Sequence, residues 1–84
     1  MYFDIVKAIY LGGYKIKVFF KDRKNGVVDF ENYPQRKGVF EKFRDLEFFK
    51  QFYIDKDFDV LAWPGGIDIS PEKLYEMATK CKDN

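Results

Sequence analysis

Between Tyr14 and Phe20 the chain alternates without a break. Tyr14, Ile16, Val18 and Phe20 fall on one side, and Lys15, Lys17 and Phe19 on the other. A side-chain period of two belongs to an extended strand, so this segment demands a sheet with one packed and one solvated face. Its flanks set the connections. Gly12-Gly13 comes before it, and glycine reaches positive φ without steric cost, which permits a tight reversal. Asp22-Arg23-Lys24-Asn25-Gly26 comes after it, and Asn-Gly is the strongest short hairpin signal. Residues 2–10, with Phe3, Ile5 and Ile9 on alternate positions, read as the preceding strand. Residues 27–30, with Val28 and Phe30 toward the core, read as the following one. The first third of the chain is therefore expected to form a three-stranded antiparallel meander, close to the minimum for a sheet with a hydrophobic face.

The remainder reads as shorter elements. Tyr33-Pro34 disfavours helix at Tyr33 and Gly38 adds a break, so residues 31–44 are expected to be a loop with one helical turn. Residues 45–52 read as a short helix, with Asp45 as N-cap and Leu46, Phe49 and Phe52 or Tyr53 along one face. Residues 58–63 form an apolar strand that stops at Trp63-Pro64-Gly65-Gly66, and Ile67 and Ile69 flank Asp68 in another brief strand. Ser70 caps the last helix, Pro71 takes its first position, where a missing N–H costs nothing, and Glu72 suits the positive end of the dipole. Leu74, Tyr75, Ala78 and Cys81 supply its apolar stripe. The fold expected is one α+β domain over residues 1–84: the meander, a short central helix, further short strands, and a C-terminal helix packed on the sheet. Trp63 is expected at the corner beside that helix, near Leu74 or Tyr75.

A chain of 84 residues buries only about 60–65% of its unfolded surface. Ten Phe, six Tyr and one Trp, each covering roughly 150–250 Å², exceed what one small core hides. Some aromatics are expected outside, where a contiguous patch marks a contact site; Tyr2, Phe19 and Tyr33 are the candidates. The single Cys81 excludes an intrachain disulfide and fits a reducing cytosol. The N-terminus has no secretory pattern, and the uncharged runs fall far below a membrane span. A soluble cytoplasmic protein is expected.

Catalytic groups are scarce. The chain has no histidine, the commonest general base and metal ligand. Ser70 is explained by its cap, and Cys81 has no histidine to activate it. No phosphate-binding or dinucleotide loop appears. The expectation is a protein that is not an enzyme and takes no cofactor or metal. Asp55, Asp57 and Asp59 alternate in the manner of a calcium loop, but Val60 and Gly66 occupy the positions where such a loop needs Gly and Glu. If the stretch is extended, the three carboxylates share one face as a solvated acidic edge, or as an acidic patch that docks on a basic protein. Lys15, Lys17, Lys21, Arg23 and Lys24 cluster around Phe19, loosely like a nucleic-acid platform. Lysines also keep exposed strands from pairing edge to edge, and the net charge is only +1. That charge is uneven: residues 1–37 carry eight basic against four acidic side chains, residues 38–84 seven against ten.

The order of landmarks supports one resemblance. Tyr14-x-Ile16-x-Val18-x-Phe20-x-Asp22, Gly26-Val27-Val28-Asp29-Phe30, Gly38-Val39-Phe40, Phe49, and Leu61-Ala62-Trp63-Pro64-x-Gly66-x-Asp68-Ile69-x-Pro71-x-x-Leu74-Tyr75 are similar to the small bacterial family catalogued as domain of unknown function 2442. Trp63 to Tyr75 is the most specific stretch. The resemblance implies an α+β fold with a meander and no assigned catalytic residues. It also implies a short stand-alone protein of a kind often encoded beside another small protein, in the manner of toxin–antitoxin pairs. Some members are fused to a helix-turn-helix domain, and no such segment appears here. The function expected is a non-enzymatic protein-binding domain, antitoxin-like or inhibitory, whose partner is the product of a neighbouring gene. The alternatives are an accessory nucleic-acid-binding module using the basic hairpin face, and a self-associating structural protein forming a homodimer.

Overall fold

A computed structural model describes residues 4–79. Strands β1 (Ile5–Gly12), β2 (Lys15–Phe20) and β3 (Asn25–Asp29) form an antiparallel sheet in the order β1-β2-β3. The alternation in β2 sets its register: Val18 lies opposite Ala8, and Ile16 lies between Tyr10 and Val28. Ile16, Val18, Phe20 and Val28 are buried on the inner face. β1 runs two residues beyond its expected end: Gly12 still pairs with Lys15, so the reversal is made by Gly13 and Tyr14, with Gly12 and Gly13 both at positive φ. Residues 2 and 3 of the expected strand lie outside the described residues.

The Asn-Gly pair does not make the second reversal. Asn25 and Gly26 belong to β3, opposite Phe19 and Val18. Residues 21–24 turn the chain instead. Asp22 Oδ1 accepts from the Lys24 amide at 2.9 Å, Arg23 adopts φ 77°, and its amide donates to the Phe20 carbonyl at 2.9 Å. An aspartate that bonds the backbone two residues on builds a turn by itself, and here it displaces the reversal toward the N-terminus. Gly26 serves close approach: a Cβ there would overlap the carbonyl of Ala78, so its absence lets helix α2 (Pro71–Thr79) lie directly on β3.

Residues 31–44 are more regular than a loop. Two 3-10 segments, Tyr33–Gln35 with Pro34 in its first turn and Gly38–Arg44, carry Tyr33, Phe40 and Phe43 inward. Side chains three apart eclipse in a 3-10 helix, which pairs the Phe40 and Phe43 rings at 5.4 Å. Asp45 caps α1 (Leu46–Phe49) as expected, accepting from the Glu47 amide at 3.0 Å. The helix ends after one turn because residues 52–54, aromatic and β-branched, favour a strand. Tyr53–Asp55 forms β4, an element not anticipated, and pairs with β5 (Val60–Trp63); β5 also pairs with β6 (Ile67–Ile69). Ser70 Oγ accepts from the Lys73 amide at 3.2 Å, and Pro71 opens α2, as the sequence implies. Cys81 lies outside the described residues.

One cluster of buried side chains spans both sheets, with Trp63 at its centre. Trp63 is fully buried, and its ring contacts among the described residues are with Phe43 (4.7 Å), Phe30 and Phe49 (both 5.8 Å). The expected aromatic neighbour Tyr75 packs on Phe20 instead, at 4.9 Å. The indole is thus clasped by segments that precede it in sequence. Its N–H donates to the Phe49 carbonyl at 2.7 Å, one of the carbonyls that the end of α1 leaves without a helical partner.

Trp63→Ala should cost about 3–5 kcal/mol, as for other large aromatic deletions, and Trp63→Phe about 1–3 kcal/mol through the stranded carbonyl. Urea unfolding followed by circular dichroism measures both; parent-like midpoints would contradict this packing. Gly26→Ala normally stabilises an extended segment by restricting the unfolded chain. Here it should lower the midpoint, because the added methyl meets the α2 backbone.

Candidate interaction surface

The register that buries one face of the first sheet assembles the other. Across the outer face Ile9, Lys17 and Val27 form one row, and Lys7, Phe19 and Asn25 the next; Lys15 faces Asp29 in a third. Ile9 is 39% exposed and Val27 44%. β1 breaks register between Ile5 and Lys7 and again between Tyr10 and Gly12, and the residues at those bulges, Val6 and Leu11, are exposed too. The Lys7 and Lys17 ammonium groups lie 5.6 and 5.3 Å from the centre of the Phe19 ring, within cation–π range. Among the described residues Lys7, Lys15 and Lys17 make no ion pair. Asp29, opposite Lys15, accepts the Glu31 amide at 2.9 Å. A depression of about 520 Å³ lined by Leu11, Tyr14, Lys15, Asp29 and Glu31 opens at one end of β1 and β2.

The residues singled out from sequence divide among several places. Phe19, Lys15 and Lys17 lie on the outer face. Lys21 and Arg23 are exposed in the 21–24 turn, while Lys24 sits 5.9 Å from the Tyr75 ring, toward α2. The five cations therefore do not make one patch, and Lys7 joins two of them instead. Tyr33 is no surface anchor: it is 4% exposed, packed edge-on against Phe30 and Phe40 at 5.0 Å each, with the Arg36 guanidinium 3.9 Å from its centre. Its hydroxyl donates to Met77 Sδ at 3.6 Å. The Pro34 that argued against helix starts the 3-10 turn that swings this ring inward. Tyr2 lies outside the described residues.

Asp55, Asp57 and Asp59 do not share a strand face. Residues 56–59 are the turn between β4 and β5. Asp55 Oδ1 accepts from the Asp57 amide at 2.9 Å, its carbonyl accepts from the Asp59 amide at 2.6 Å, and Asp59 adopts φ 54°. Aspartate tolerates that left-handed conformation better than most residues. Two of the three carboxylates are half-buried turn formers. The outstanding side chain is Phe58, 72% exposed at the tip. Its position in an apolar run hid it, since only the turn turns it outward. Ile9, Val27 and Lys7 were hidden differently, because a cross-strand row requires the register of three strands at once.

No group of three or more Cys, Asp or Glu side chains among the described residues is placed to hold a metal ion. No helix among them is long and apolar enough to cross a membrane. The Tyr75 hydroxyl donates to Asp22 Oδ2 at 2.6 Å. That bond, followed by the Lys24 amide, holds the Asp22 carboxyl below its ordinary 3.8. The aspartate that turns the β2–β3 hairpin therefore also fastens α2 to it.

A family model described as protein of unknown function (DUF2442) matches residues 5–80. No curated protein and no solved structure matches the chain.

A depressed carboxyl pKa stabilises the fold above the unfolded value, and that contribution disappears as pH falls through the folded value. The melting temperature of the parent should exceed that of Asp22→Asn at pH 6, and the gap should close as pH drops below 3.8. A gap independent of pH would show that the carboxylate's charge is irrelevant to α2 docking. Phe58→Ser should leave the melting temperature within the roughly 0.5 kcal/mol of ordinary surface changes; a larger loss would place the ring against the fold.

Proposed function

The chain belongs to the DUF2442 family, and from its geometry we propose that it acts without catalysis by binding another protein, as an antitoxin-like or inhibitory partner does. The observation that carries this reading is the outer face of the first sheet. Ile9 and Val27 are exposed on it in one row with Lys17, and Val6 and Leu11 are exposed at the bulges of β1; the lysines of this face have no carboxylate partners among the described residues. Aliphatic side chains left in water on a regular sheet are what a protein contact covers.

The arrangement favours protein over nucleic acid. Base stacking needs open aromatic faces; Phe19, the one ring on this face among the described residues, is attended by two ammonium groups. The aliphatic residues around it offer nothing to stack, and the hairpin cations are split between this face and α2.

The paired change Ile9→Thr and Val27→Thr tests the reading, since threonine keeps the β-branched shape that suits a strand while removing apolar surface. The double variant should melt close to the parent. In the cells that make the protein, crosslinking of a tagged parent chain should yield a specific protein adduct that the double variant loses. An adduct equally strong in both, or none with the parent, would contradict the proposal.

A further inference from the structure

We infer that the outer face of the first sheet receives an acidic amphipathic helix presented by the partner; this rests on the protein-binding reading above and names the partner's chemistry. The first argument is size. β2 has six residues, and at about 3.3 Å per residue it is roughly 20 Å long, while three strand axes about 4.8 Å apart span roughly 10 Å. An α-helix is about 10–12 Å across and rises about 1.5 Å per residue, so about 13 residues cover this platform. A stable globular interface needs about 800 Å² on each side, more than the platform offers. A single helix is the element that fits it.

The second argument is charge. Lys7, Lys15 and Lys17 stand on the face with Asp29 as the only carboxylate in the paired rows among the described residues, and none of the three lysines is neutralised by an ion pair there. Lysine stems lie along apolar surface while their ammonium groups reach outward. The stem of Lys17 thus completes the floor between Ile9 and Val27, and the ammonium groups form a cationic rim. The complementary helix carries an apolar stripe at i, i+3, i+4 and i+7 flanked by Glu or Asp. A second copy of this chain, docked face to face about a two-fold axis, would oppose the same lysines to one another.

The test titrates the isotope-labelled full chain, observed by NMR, with four probes. Three are synthetic peptides of about 14 residues, enough to cover the platform: a leucine stripe with Glu flanks, the same stripe with Lys flanks, and Glu flanks with the stripe changed to Ser. The fourth is a single-stranded oligothymidylate. Only the Glu-flanked leucine peptide should bind, with shifts on β1, β2 and β3. Its affinity should fall at least tenfold when Lys7→Gln and Lys17→Gln are combined, and also when salt rises from about 0.05 M to about 0.5 M. Equal binding by the Lys-flanked peptide, shifts centred elsewhere, preference for the oligothymidylate, no peptide binding, or a dimer that occupies the face in sedimentation would each overturn the inference. If Ile9→Thr with Val27→Thr abolishes the cellular adduct and the acidic peptide still does not bind, this inference fails while protein binding stands. If the adduct is unaffected, both fail.

Discussion

The bond from the Trp63 indole N–H to the Phe49 carbonyl, 2.7 Å long, is the joint on which the two sheets depend. It satisfies two buried groups at once: the indole donor and a terminal carbonyl of α1. A helix of one turn has no stability alone; α1 exists because its last carbonyl and the Phe49 ring are held by the central strand of the second sheet. Through the same indole, Phe30 beyond β3 and Phe43 from the long 3-10 segment meet that strand within 6 Å. A chain with one cysteine thereby joins its halves through edge-on and tilted ring contacts where other small domains use a disulfide.

How much of this was legible in the sequence depended on whether the information was local. The alternation through β2, the cap at Asp45 and the Ser70-Pro71 start of α2 are decided within a few residues, and the structure bears them out. The Asn-Gly hairpin misled because two turn formers competed within five residues, and Asp22, bonded both to the Lys24 amide and to Tyr75, won through a contact 53 residues away. Where one helical turn was expected, two 3-10 segments form, and their extent was not readable because their aromatic spacing suits neither a 3.6 nor a 2.0 period. Of the candidate site, Phe19, Lys15 and Lys17 were readable from alternation alone. Lys7, Ile9 and Val27 became neighbours only through register, and Phe58 was disguised by the apolar residues that follow it.

The aromatic surplus has a different outcome from the one composition suggests. Tyr33, Phe43, Phe49 and Phe30 are absorbed by the core: the 3-10 segments carry Tyr33 and Phe43 inward, α1 carries Phe49, and Phe30 follows directly on β3. The exposed apolar groups are mostly aliphatic: Ile9 and Val27 lie on the opposite face of that sheet and Val6 and Leu11 at the bulges of β1, while Val39, Tyr53 and Phe58 are exposed elsewhere. The charge asymmetry persists in the fold in reduced form: the basic half supplies the outer face, and the acidic half supplies the Phe58 hairpin on the second sheet. One face of the first sheet is committed to an aromatic core, and the other carries lysines that make no ion pair among the described residues, set beside exposed aliphatic side chains.

Lysine acylation footprinting of the chain inside the cells that make it, compared with the purified protein, tests that division most directly. Lys7, Lys15 and Lys17 should label freely in the purified chain and be protected in the cell, while Lys50 and Lys73, away from the first sheet's outer face, label alike in both. Equal labelling of all five lysines in the two settings would contradict the account, since the face would then be as open in the cell as it is in isolation.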